Sequence, residues 1–246
     1  MAADDEIDFD EKPWLGPAFE PFKDWLVDGP AGKWPERWEK KRKLTQYQVQ
    51  VSARNYELLI NDDGAAWKAQ VIAFDKAIAE LPVHKQKAAR EAYHIRFDRK
   101  SFDGDSNNFS GLRFPCAVSF LGAVFGGGLL RFEGSEFASG KVWFNGATFS
   151  NKGVLFDRAT FGDGNVRFDR ATFGNGPVSF DWAKFGDGNV SFAEATFGNG
   201  NVSFDQAAFG DGDVSFNGVT FGNGEIWFSG VNFGRGYLSF TGASFG

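Results

Sequence analysis

Six aspartates on a fixed interval are the residues best placed to do chemistry. Asp157, Asp181 and Asp205 recur every 24 residues, and Asp163, Asp187 and Asp211 repeat the same interval six positions later. Carboxylates spaced this way could form an anionic docking surface, hold calcium, or simply suit the turns they occupy. Calcium is the weakest of the three, because the compact ligand loop of a dedicated site is missing. Turn chemistry is the plainest, since Asn151, Asn175, Asn199 and Asn223 occupy the matching place in the alternate repeats. Other chemical groups are few. His84 and His94 are the two histidines, both upstream of the aspartates, so a metal cluster or a histidine-dependent dyad has little support. Cys116 follows Pro115 with no histidine near it in sequence and reads as a buried thiol. The repeated G-x-G triplets have extended segments on both sides, whereas a phosphate-cradling loop needs a strand before and a helix after. No catalytic residue, cofactor or metal is expected, and the chain reads as a protein that is not an enzyme.

The elements that position the aspartates come from a 12-residue frame. All 26 phenylalanines after residue 94 fall into it, five and seven apart from Phe120 to Phe245. The frame V-x-F-x-x-A-x-F-G-x-G-x is seen in Val166 to Pro177. By the period-two rule Val166, Phe168, Ala171 and Phe173 face inward, while Arg167 and Thr172 face outward. Asp169-Arg170 makes one corner and Gly174 to Pro177 a wider one, where the glycines are expected to supply positive backbone angles. One frame per coil is too narrow for two phenylalanines and a valine. Two frames give about 24 residues and four faces, and the Asn/Asp alternation and the column Thr148, Thr172, Thr196, Thr220, Ser244 share that period. Residues 95–246 then make slightly over six coils, roughly 30 Å tall at about 4.8 Å per layer. The two aspartate columns flank a face carrying Thr160, Lys184, Ala208 and Asn232. Irregularities gather at the start: Asn107 at a valine position, Lys100 and Ser135 at alanine positions, and a corner one residue short at Pro115 to Ala117.

The repeats F-D-R-A-T-F (Phe156 to Phe161 and Phe168 to Phe173) and F-N-G-A-T-F (Phe144 to Phe149) resemble the pentapeptide-repeat family over Ile95 to Gly246. The resemblance implies a mainly β fold, a right-handed four-sided β-helix. This chain departs from the family by inserting two residues at every second corner. The resemblance also brings an expectation of function, because some members mimic DNA and target DNA gyrase, and members join through their C-terminal coils.

Upstream, residues 1–43 form a Pro/Trp-rich segment with Pro13, Pro17, Pro21, Pro30 and Pro35 beside Trp14, Trp25, Trp34 and Trp38. Such a segment admits only short helical pieces, such as Glu20 to Val27. Residues 44–94 are expected to be a mainly helical capping region. Asn61 to Gly64 is a helix start, followed at helical spacing by Trp67, Val71, Phe74, Ile78 and Leu81, with a weaker helix from Val83 to Tyr93. A stacked repeat needs such a cap, because its open end exposes strand edges.

Composition bounds the partners. A formal net charge of −6 argues against direct nucleic-acid binding. Residues 171–246 carry seven acids against two bases, so the far end is the more anionic. One cysteine excludes a disulfide framework, the acidic N-terminus is no signal peptide, and no run is long enough to span a membrane, which makes the cytoplasm the expected location. The leading reading is a non-catalytic protein-binding solenoid, with another protein as partner. The alternative is a DNA-mimicking inhibitor or protector of DNA gyrase, a topoisomerase. Ice binding through the threonine column is a third, disfavoured because the column is single. The last coil, ending in frame at Phe245-Gly246, is expected to join a second copy through Trp227, Phe228, Tyr237, Phe240 and Phe245 as a homodimer.

Overall fold

The computed structural model describes residues 20–21, 64–80, 83, 86, 90, 93–104, 106–138 and 140–246. From Tyr93 the chain winds as a parallel β-solenoid of about six turns with about 24 residues per coil, as the repeat requires. Each coil crosses four sheets in turn. The first face holds eight strands, running from β1 (Glu20–Pro21) and β2 (Tyr93–Arg96) to Leu238–Ser239. The second and third faces hold six strands each. The fourth holds four and continues through bridges from Lys184 to Ala208 and on to Asn232. In the regular coils the pairing steps by 24 residues, as in Val166↔Val190 and Thr172↔Thr196.

In the regular coils each face holds a two-residue strand between corners. Val166, Phe168, Ala171 and Phe173 are buried and Thr172 is exposed, the alternation of a pleated strand. Backbone groups then pair between coils, for example Phe168 N–H to the Ser191 carbonyl at 2.7 Å. Inside, the phenylalanines stack in four columns. Phe144, Phe168 and Phe192 follow one another at 4.9 Å with planes within 3°. Rings of the first and third faces meet edge to face, as in Phe168–Phe180 at 5.6 Å and 82°. Each fully buried ring contributes about 2–3 kcal/mol of transfer free energy, and each favourable ring pair about 0.5–1.5 kcal/mol more.

The corners differ from expectation. Positive φ falls at the second residue of the tight two-residue corners, at Arg99, Arg158, Arg170, Trp182, Glu194 and Gln206 and at glycines in the remaining coils. The Phe156 carbonyl, for instance, accepts the Ala159 N–H at 2.9 Å across Asp157 and Arg158, and Arg158 takes φ 57°. At the wide corners, where the repeat suggested glycines for positive angles, only Gly140 and Gly153 have them among the described residues. The other wide-corner glycines are required by the coil beneath. A Cβ on Gly198 would lie 2.6 Å from the Gly174 carbonyl oxygen and 2.7 Å from its carbon.

The irregular start is accommodated as the sequence suggests. The first coil pairs with a step of 23, as in Arg113↔Glu136, and the step becomes 24 from Val118↔Val142, so the missing residue falls at Pro115 to Ala117. Asn107 satisfies its buried amide on the Phe102 carbonyl at 3.0 Å, and Ser135 donates to the Phe109 carbonyl at 2.6 Å. The end of the stack is covered by helix α1 (Gly64–Ala79), whose Trp67, Val71, Phe74 and Ile78 are buried. Trp67 lies 5.5 Å from the Phe114 ring and donates its indole N–H to the Arg113 carbonyl at 2.9 Å. Asp75 of α1 pairs with Arg113 and, at 2.6 Å, with Arg90, locking the cap onto the first coil. Glu20–Pro21, where a helical piece was expected, instead adds an antiparallel strand to Tyr93–His94. That strand covers the starting edge of the first face. The rest of segment 1–43, residues 44–60 of the expected capping region and most of the second helix expected at 83–93 lie outside the described residues, while Tyr93 itself is in β2.

Candidate interaction surfaces

Both aspartate columns lie where the spacing placed them. Asp157, Asp181 and Asp205 stand at the tight corner between the third and fourth faces, and Asp163, Asp187 and Asp211 at the wide corner between the fourth and first. Between them the fourth face presents Thr160, Lys184, Ala208 and Asn232 in register. Sequence reasoning missed what the carboxylates are bonded to. Asp181 accepts the Asp205 N–H at 3.0 Å, and Asp205 accepts the Ser229 N–H at 2.7 Å. Asp163 and Asp187 accept the N–H groups of Asp187 and Asp211 at 3.4 and 3.1 Å. The asparagines of the opposite wide corner do the same, Asn151 to Asn175 at 2.9 Å and Asn175 to Asn199 at 3.0 Å. Each acidic column is therefore also a ladder of side-chain acceptors tying one coil to the next.

Serine completes the ladder at the tight corners. Ser179 donates its hydroxyl to Asp157, and Ser203 to Asp181. On the first face Ser191 donates to Asp169 and Ser119 to Asp98. Where the serine is replaced, the acceptor loses its donor: Arg167 stands in that place for Asn145, whose Oδ1 is buried without a partner. The signal was available in the sequence as V-S-F-D repeated at Val178 to Asp181 and Val202 to Asp205. Its meaning depends on a partner in the adjacent coil.

Burial raises the Asp157 pKa above the usual carboxylate value, opposed by the Ser179 hydrogen bond and reinforced by the neighbouring Asp181 charge. A carboxyl whose pKa is raised on folding holds its proton more tightly in the native state. Its ionised form therefore costs stability at neutral pH, and that cost is relieved as pH falls through the raised native pKa toward the unfolded value. Asp157→Asn keeps an acceptor oxygen for Ser179 and removes the charge. The variant is expected to be more stable than the parent at pH 7, with the gap closing on acidification to about pH 4; thermal midpoints across that range measure it. A variant less stable at pH 7 would show the carboxylate to be favourable where it stands.

Two indoles stand out on the same edge. Trp182 occupies a tight corner at φ 59° and is 56% exposed. Other coils place Gly111, Gly134, Arg158, Gln206 and Gly230 at that corner. Trp227 is 42% exposed on the third face, in the place that Ser179 and Ser203 hold in earlier coils. Trp182 was not singled out from the sequence, although it is the one aromatic residue at this corner position.

The residues expected to join a second copy divide into two sets. Phe228 and Phe240 continue the interior columns, half-buried against Phe204 and Phe216 at 5.1 and 4.8 Å. Tyr237 and Phe245 are 83% and 60% exposed on the last coil, and Trp227 points outward from the third face. The threonine column lies in register on the second face from Thr148 to Ser244, its members outward and exposed.

Cys116 is buried at the short corner, and burial pushes its thiol pKa well above the ordinary range, partly offset by Arg90. Held as the thiol, it is a poor nucleophile. His94 lies in β2 and His84 is outside the described residues. Among the described residues no group of three or more His, Cys, Asp or Glu is arranged to hold a metal ion, and no helix is long and apolar enough to cross a membrane. Fold and surface define a repeat β-solenoid that fits a non-catalytic scaffold. No protein-family model matches the chain, and no curated protein does.

Proposed function

We propose that this chain is a non-catalytic binding protein of the pentapeptide-repeat type, acting in the cytoplasm. Its solenoid wall engages another protein, and its C-terminal coil joins a second copy. The observation that carries this reading is the ordered outer wall, in which the threonine column of the second face and the acceptor ladders beside the fourth are held in register from coil to coil. Exposed Tyr237 and Phe245, beside half-buried Phe228 and Phe240, are the residues through which a two-fold dimer would form. Light scattering of the full chain at micromolar concentration is expected to give twice the 27.1 kDa mass, falling to one chain in Tyr237→Lys/Phe245→Lys. A single-chain mass for the parent would sink the self-association.

A second reading has a specific observation behind it: two columns of carboxylates bracket the fourth face, as a mimic of DNA phosphates would need. On this reading the partner is DNA gyrase. The test is gyrase supercoiling with the parent and with Asp157, Asp163, Asp181, Asp187, Asp205 and Asp211 all changed to Asn. The asparagine ladder at the opposite corner supports retention of the fold in that variant. Inhibition by the parent alone supports mimicry, and no inhibition by either leaves the carboxylates as coil-to-coil acceptors.

A further inference from the structure

We propose that Trp182, Trp227 and the Asp205 carboxylate between them form a docking site for an arginine-bearing segment of a partner protein. The proposal rests on the binding-protein reading above and names the chemistry of the partner. Its starting point is that both tryptophans depart from what the fold uses at their positions. The corner of Trp182 needs a residue at positive φ, and Gly134 and Gly230 meet that need without strain. Trp182 contributes its backbone N–H to the Asp205 carbonyl at 2.9 Å, a bond that Arg158 makes equally to Asp181. Among the described residues no hydrogen bond or ring contact engages its indole, which is more than half exposed.

Trp227 departs in a second, independent way. In the two coils before it the corresponding serines donate to Asp157 and Asp181. Trp227 removes that donor from Asp205, whose carboxylate keeps the Ser229 N–H at 2.7 Å as its hydrogen bond among the described residues. An ionised carboxylate can accept about four hydrogen bonds. Asp205 is thus joined through its backbone to the coil of Trp182 and through its side chain to the coil of Trp227. It has acceptor capacity to spare, and the coils before and after it carry the exposed Trp182 and Trp227.

Charge chooses the occupant. Residues 171–246 carry seven acids and two bases, so the surroundings favour a cation. Of the two basic side chains, arginine suits the site better. Its planar guanidinium stacks on an indole face and still directs N–H groups in the ring plane toward a carboxylate. Lysine offers a point charge and a stronger hydration shell.

The test uses the full chain and fluorescein-labelled nonapeptides of arginine, lysine and citrulline, with binding read by anisotropy at low and physiological salt. Trp182→Gly and Trp227→Ser install residues that this chain already carries at equivalent places, so both are expected to fold, which circular dichroism checks. The arginine peptide is expected to bind the parent several-fold more tightly than the lysine peptide, and the citrulline peptide not to bind. Each substitution is expected to weaken the arginine peptide at least tenfold. Trp182 lies two coils below the last, so its effect is separate from any end-to-end contact, and light scattering of Trp182→Gly verifies that its mass is unchanged. Equal affinity for the parent and both variants would reduce binding to diffuse charge attraction and overturn the site. Equal affinity for arginine and lysine peptides, or no binding by the parent, would overturn the choice of occupant. The mass of the parent and of Trp182→Gly tests the broader reading separately.

Discussion

Phe180→Ala is expected to lower the unfolding free energy by about 4–5 kcal/mol, at the upper end of the range for deleting a buried aromatic ring. Phe180 is fully buried in the middle of the stack. Its ring lies parallel to Phe156 and Phe204 at 4.8 and 5.0 Å, and edge to face with Phe168 and Phe192 at 5.6 and 5.7 Å. The surrounding rings cannot collapse into the gap, because each is held at the coil spacing by its own backbone ladder. Phe245→Ala removes a ring that is 60% exposed and whose ring contacts among the described residues are with Phe221 and Phe240. It is expected to cost about 1 kcal/mol or less in the single chain. Urea unfolding followed by circular dichroism compares the two. Since each coil contacts only its neighbours, Phe180→Ala is also expected to broaden the transition by uncoupling the coils above from those below. Similar losses for Phe180 and Phe245 would mean that the columns do not carry the stability.

Gly198→Ala is expected to cost about 3 kcal/mol or more, although the residue is at a surface corner and needs no unusual backbone angle. The added methyl group would meet the Gly174 carbonyl oxygen at 2.6 Å and the Asn175 side-chain oxygen at the same distance. The side chain can turn away; the carbonyl belongs to the coil below and cannot. Relief requires lifting one corner of a layer and breaking the Asn199 N–H bond to Asn175 at 3.0 Å. Gly134→Arg is the opposite case. Gly134 has φ +63°, where glycine is ordinarily preferred, yet a Cβ there meets nothing within 4 Å. Arg158 holds the same corner one coil on, so this larger change is expected to cost about 1 kcal/mol. Thermal midpoints of the two variants decide it, and the reverse ranking would show that backbone angle rather than layer contact selects these glycines.

These two cases mark how far the sequence could be read. The inward set Val166, Phe168, Ala171 and Phe173, the 24-residue coil and the shortened corner at Pro115 to Ala117 were all legible, and all are local. Alternation along a strand is dictated by the pleat, and the coil length by the volume of four rings, so neither needs a distant partner to be known. The capping stripe Trp67, Val71, Phe74 and Ile78 was legible for the same reason, from helical spacing alone. The candidate surface was legible in position but not in bonding. The aspartates were known to share an edge, while their service as acceptors for the next coil was not.

Which residues face inward and how many make a coil follow from a period of two and from side-chain volume, and both can be read along the chain. The rest is set by contacts between coils. The wide-corner glycines answer to a carbonyl 24 residues earlier, Asp157 and Asp181 answer to serines 22 residues later, and Asp205 lacks a serine because Trp227 takes its place. Such contacts exist only once the coils are stacked at about 4.8 Å. The same stacking leaves Trp182 on the outside.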